Sequence, residues 1–147
     1  MRFVFATIFG GLALVLAAAG PALADIGQIK TLQGKVSIVR AGETLAAKVG
    51  DTLEQADTLK TGADSTVGIT FIDSTRFSAG PNSTIALSRF RFNPTTEEGE
   101  FVTDVKKGTL AIISGRIAKG SPDAMSVKTP ASILGVRGTR FLVKVEE

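Results

Sequence analysis

A chain of 147 residues with 17 Lys and Arg against 14 Asp and Glu has a formal net charge of +3, too small a surplus to suggest a nucleic acid partner. It contains no Cys, His, Trp or Tyr, which excludes disulfides, Ser–His–Asp and Cys–His catalysis, and the common ligands of zinc and copper. Stability must therefore come from packing and hydrogen bonds.

The first 24 residues have the pattern of a cleavable secretory signal peptide. Arg2 supplies the positive start, Phe3 to Ala19 carries no charge, Gly20-Pro21 breaks a helix, and Ala22-Leu23-Ala24 is an A-x-A exit. The alternative is an uncleaved anchor, but a spanning helix needs roughly 20 apolar residues, and this run is shorter and ends in a cleavage site. Cutting before Asp25 removes 24 of the 147 residues, leaving 123 with a charge of +2, because Arg2 is the only charge lost. That length suits one domain, residues 25–147. Contact with a membrane is then limited to the signal peptide before cleavage, and the expected location is the periplasm or the cell exterior.

Along the remaining chain, short alternating runs are separated by turn residues. Lys35 to Arg40 places Val36 and Ile38 on one face; Gly42 follows. Glu43 to Leu59 has Leu45, Val49 and Leu53 four apart, but Gly50-Asp51 interrupts any helix, and the stretch reads as hairpin or loop-linked strands. It contains a faint echo, G-D-T-L at Gly50 to Leu53 and A-D-T-L at Ala56 to Leu59. Ser65 to Ile72 puts Val67, Ile69 and Phe71 on one face. After Gly80-Pro81-Asn82, Ile85 and Leu87 share a parity that Phe90 and Phe92 do not, so a strand there needs a bulge near Ser88 or must be buried on both sides. Phe101, Thr103 and Val105 alternate, Leu110 and Ile112 follow Gly108, Met125 and Val127 alternate, and Phe141, Val143 and Val145 close the chain. Period-two runs with regular Gly, Pro and Asn punctuation predict an all-β fold. We expect short strands in a β-solenoid-like stack, with a jelly-roll-like β-sandwich as the alternative.

Candidate chemistry is sparse. Asp51 with Asp57, or Asp64 with Asp73, are the available carboxylate pairs for acid–base work; an Asp beside Gly or Ser more commonly caps a turn, and that reading is preferred. No D-x-D-x-D-G calcium loop is present. Arg137 lies between Gly135 and Gly138, where its fork suits an internal carboxylate such as Asp51 or Asp73, or a recognition surface. Arg89, Arg91, Lys106 and Lys107 form either a basic patch or ordinary strand-edge protection.

Several segments in order resemble the FecR family of periplasmic domains. They are Gly34-Lys35-Val36; Gly50-Asp51-Thr52-Leu53 with Asp57-Thr58-Leu59-Lys60-Thr61-Gly62; Ser65 through Phe71 with Asp73; Gly80-Pro81-Asn82-Ser83; Lys107-Gly108-Thr109-Leu110; and Val127-Lys128-Thr129-Pro130 with Gly135-Val136-Arg137-Gly138-Thr139-Arg140-Phe141. The family's usual D-G-S is here Asp73-Ser74-Thr75. With the signal peptide, the resemblance implies a stand-alone exported form: a non-enzymatic interaction or scaffold module of the bacterial envelope that needs no cofactor, contacts another envelope protein along a strand edge or sheet face, and bears on envelope signalling. Asp51, Asp73, Asn82, Arg137 and Thr139 are its motif residues, and Arg89 and Arg91 its candidate surface. The alternative function is a carbohydrate- or cell-surface-binding module, which the lack of Trp and Tyr disfavours.

Overall fold

The computed structural model describes residues 24–121, 123–136, 138 and 140–146; the expected signal peptide, apart from Ala24, lies outside them. The chain is all-β, as expected. In order it forms β1 (Asp25–Gln33), β2 (Val36–Arg40), β3 (Glu43–Ala46), β4 (Thr52–Glu54), β5 (Thr58–Thr61), β6 (Thr66–Phe71), β7 (Arg76–Ala79), β8 (Thr84–Phe92) and β9 (Gly99–Ile113). The short helix α1 (Arg116–Gly120) follows, then β10 (Met125–Lys128), β11 (Ile133–Gly135) and β12 (Arg140–Val145).

These strands make one twelve-stranded sheet, curled as an antiparallel half-barrel. The path runs β3-β2-β5-β8-β9-β7-β6-β1-β4, with β10 and β12 also on β9, and β11 on β10. Among the described residues only the β9–β10 pair is parallel. The 15-residue β9 organises the fold. Its N-terminal part pairs with β8 and β10, and its C-terminal part pairs with β7 and β12. Buried residues switch parity along it, from Phe101, Thr103 and Val105 to Leu110 and Ile112. The switch needs an irregular residue. β9 carries an extra residue, Lys106, against β8, and Gly108 adopts a φ of +93°, where a Cβ would collide with Ser83. Gly108 thus permits the turn of the strand from one half of the sheet into the other.

Alternation elsewhere follows the sequence. Val67, Ile69 and Phe71 of β6 are buried, as are Phe77 and Ala79 of β7. The slip in β8 is a bulge: Ala86 pairs with Asp104 and Arg89 with Val102, so three steps on β8 match two on β9. Ile85, Leu87 and Phe90 therefore all reach the core. Across the bend, Phe71 and Phe77 meet Phe90 and Phe101, with edge-to-face contacts at 4.8 Å between centroids and stacked ones at 5.3 and 5.8 Å. Four rings from two half-sheets make the centre of the molecule, and such pairs add about 1 kcal/mol each beyond area burial.

Candidate functional site

The buried charges support the backbone. Asp57 is only 1% exposed and accepts two bonds from Arg40, Nε to Oδ1 at 2.9 Å and Nη2 to Oδ2 at 2.7 Å. The same carboxylate accepts the Glu54 backbone N–H at 2.8 Å, and Arg40 also donates to the Thr52 carbonyl at 3.2 Å. The hydrogen bond to Asp57 raises the Arg40 guanidinium above its ordinary pKa, and partial burial opposes the rise. One arginine thereby ties β2 to the β4–β5 turn through a bidentate fork. Asp51 is not part of this. Its Oδ2 accepts the Lys48 backbone N–H at 2.9 Å and closes a local turn. Asp57 and Asp51 thus have separate partners, and the echo in sequence hides two different roles.

Asp73 is fully buried. Its carboxylate accepts the Thr75 N–H at 3.1 Å, the Thr75 hydroxyl at 2.7 Å and the Ile117 N–H at 3.3 Å, while its carbonyl accepts the Arg116 N–H at 2.8 Å. The Thr75 hydroxyl in turn accepts the Gly115 N–H at 3.1 Å. An acidic turn between β6 and β7 therefore satisfies the orphan N–H groups that open α1, a capping role performed across 44 positions of sequence. Asp64, offered as its carboxylate partner, sits exposed in another turn with φ +55°.

Asn82 takes φ +51°, and its N–H donates to the Gly62 carbonyl at 3.1 Å. The next residue, Ser83, is buried; its hydroxyl donates to the Gly80 and Thr109 carbonyls at 2.9 and 3.2 Å and accepts the Thr109 N–H at 3.0 Å. G-P-N-S is thus a turn that pins β5 and β8 against the bend of β9. Arg137 and Thr139 lie outside the described residues. Beside them, the Ser114 hydroxyl donates to the Gly138 carbonyl at 2.6 Å. Among the described residues no group of three acidic side chains is placed to hold a metal ion.

The surface residues separate into three places. Arg89 and Arg91 both reach Glu100, each at 3.3 Å, and stand 63% and 74% exposed. Exposed pairs of this kind contribute about 0–1 kcal/mol. Lys106 and Lys107 are not with them: Lys106 stands six positions after Glu100 on β9, about 20 Å along the strand. Lys106 and Lys107 instead border hollows that also contain Lys60 and Lys144. The third place is β11. It pairs only with β10 among the described residues, and all three of its residues are exposed, including Ile133 at 69% and Leu134 at 42%.

Sequence reasoning missed Arg40, Lys60, Lys144 and the Ile133-Leu134 edge. A signal existed for the last: two adjacent apolar residues between Pro130 and Gly135 leave no polar face. No signal announced Arg40, because its partner is set by the pairing of β2 with β5.

No curated protein and no solved structure matches the chain. A family model does: the one described as FecR protein matches residues 57–147, more than half of the sequence, from the buried Asp57 through β12. The chain belongs to the FecR family.

Proposed function

We propose that this chain is an exported, non-enzymatic module that docks another protein of the bacterial envelope along the open edge of β11. The family is one of envelope signalling-related domains, and the proposal places the chain's task in that setting. The observation that carries it is β11 itself. Edge strands present unpaired N–H and C=O groups, and proteins usually blunt them with charge, proline or cover. Here the strand exposes Ile133 and Leu134 on its two faces. A partner strand added there would gain main-chain hydrogen bonds and bury both side chains, which is strand addition as a recognition mode. The acidic groups described above support a non-enzymatic reading, since Asp51, Asp57 and Asp73 each satisfy backbone N–H groups. The signal-peptide pattern of residues 1–24 supports export.

The test is photo-crosslinking in cells from position 134, with position 72 as control, since Ile72 is also exposed at 53% but lies in the β6–β7 turn. A discrete adduct with one envelope protein from position 134 and none from 72 is the expected outcome. Equal labelling from both positions, or none, overturns the docking reading. Recovery of an uncleaved chain in the inner membrane overturns the export reading.

A further inference from the structure

We infer that the lysine-lined groove beside the β10–β11 turn receives an acidic, extended segment of the docked protein. The inference rests on the docking reading above and names the chemistry of the docked chain.

The groove arises from strand register. Ser37, Lys60, Thr84 and Lys107 are cross-strand partners on β2, β5, β8 and β9. Such partners project to one face, and here it is the outer one, because Ile38, Leu59 and Ile85 beside them are buried. Adjacent strands are spaced about 4.8 Å apart, so Lys60 and Lys107 stand about 10 Å apart across Thr84. The extra residue of β9 is Lys106, and the bulge brings it into the same place. Two hollows of about 490 and 510 Å3 share Thr84, Lys106 and Lys107 and so form one groove. One end is closed by Lys60 and Thr58, the other by Lys144 and by Pro130 and Ala131 of the turn that leads into β11.

Among the described residues the charge is mainly positive. Four lysines and one acid line the groove; Lys144 pairs with that acid, Glu146, at 3.1 Å, Lys107 has a partner as well, and Lys60 and Lys106 carry the surplus. Asp104 stands one row away on the same face, where the Ser88 hydroxyl donates to it. An anion is therefore the complementary ligand. Among the described residues no aromatic ring lines either hollow, which argues against a sugar held by stacking. A recessed groove also suits a thin chain better than the plane of a bilayer. Carboxylates two residues apart on an extended peptide lie about 7 Å apart, within reach of long lysine stems. The groove adjoins the turn before β11, so a segment running off that edge leads into the lysines.

Binding of a fluorescent peptide of alternating Glu and Val to the purified protein tests this, with inorganic polyphosphate and phosphatidylglycerol vesicles as competing probes. We expect binding that weakens with salt, and a loss of at least tenfold in Lys60→Glu/Lys106→Glu. Arg89→Gln/Arg91→Gln, whose side chains lie elsewhere, should bind within twofold of the parent. Thermal melting of each variant, unchanged within about 2 °C for these exposed sites, establishes that each is folded. Equal peptide binding by the lysine variant and the parent overturns the inference, as does a preference for polyphosphate or vesicles over the peptide. If the position-134 crosslink forms in cells and persists undiminished in the lysine variant, the groove inference fails and the docking reading stands. If that crosslink is absent from the parent protein, the docking reading fails first.

Discussion

Ser74 stands in the left-handed region, with φ +72°, at the turn between β6 and β7. The family pattern usually places glycine there, and this chain keeps the turn while lacking it. Its N–H donates to the Phe71 carbonyl at 2.9 Å, and its neighbours Asp73 and Thr75 are both buried in the network that opens α1. The network holds Ser74 in a conformation that costs an L-residue about 1–2 kcal/mol, of which the greater freedom of an unfolded glycine would take back a part. Ser74→Gly should raise stability by about 0.5–1 kcal/mol, read as a higher urea midpoint at unchanged slope. A lower midpoint would mean that the serine contributes something its geometry does not reveal. At this scale the sequence was informative about turns and silent about partners. Asp51, Asp73 and Asn82 were all readable as turn residues, and all three are. That Asp57 would hold Arg40, or that Asp73 would cap a helix 44 positions away, depends on which strands pair, and no local pattern encodes that.

Among the elements, the most legible irregularity was the parity slip in β8. Leu87 and Phe90 can share the core only if one residue is left over between them, and the register shift supplies it. Deleting Ser88 should remove the bulge and leave Leu87, Arg89 and Phe90 in plain alternation, so that Phe90, now 5% exposed, keeps its place in the core. The expected cost is about 1 kcal/mol, that of the Ser88 hydrogen bond to Asp104, measured by chemical denaturation. A loss of about 3–5 kcal/mol, the size expected for a buried phenylalanine, would show that the bulge itself places Phe90. Other elements were hidden for identifiable reasons. In β1, Ile26, Ile29 and Leu32 fall three apart, because two register shifts interrupt its pairing with β4 and β6. β9 reads as two strands because Gly108 looks like a turn, whereas its positive φ bends a strand that continues. β7 and β11, at four and three residues, are too short for a period to register. α1 has no capping residue of its own, since Gly115 precedes it and Asp73 satisfies its first turn.

For the molecule as a whole, the sequence supported the all-β class and not the path of the sheet. A solenoid-like stack and a sandwich share the same local runs, and pairing order alone separates such arrangements. What sets the order here is β9, whose two ends belong to two half-sheets joined through Phe71, Phe77, Phe90 and Phe101. Two consequences follow from one strand serving both halves. Neither half has a complete core alone, because each contributes two of the four rings. The halves also cannot separate without breaking ladders along a continuous backbone. Unfolding should therefore be a single cooperative transition. Phe101, fully buried and touching the other three rings, is the place to test it. Phe101→Ala should cost about 3–5 kcal/mol. In native-state hydrogen exchange the loss should fall equally on the most protected amides of β6 and β7 in one half and of β2 and β5 in the other, since these amides report global opening. Unequal loss, confined to the strands beside β8, would show that the bend is a joint between two independently stable units. The docking edge sits on the half built from β2, β5, β8, β10 and β11, whereas the lysine groove reaches across to Lys144 of β12 in the other half. A single cooperative unit would carry strain from a docked strand across the bend to Asp73 and α1, and two independent units would confine it to one side.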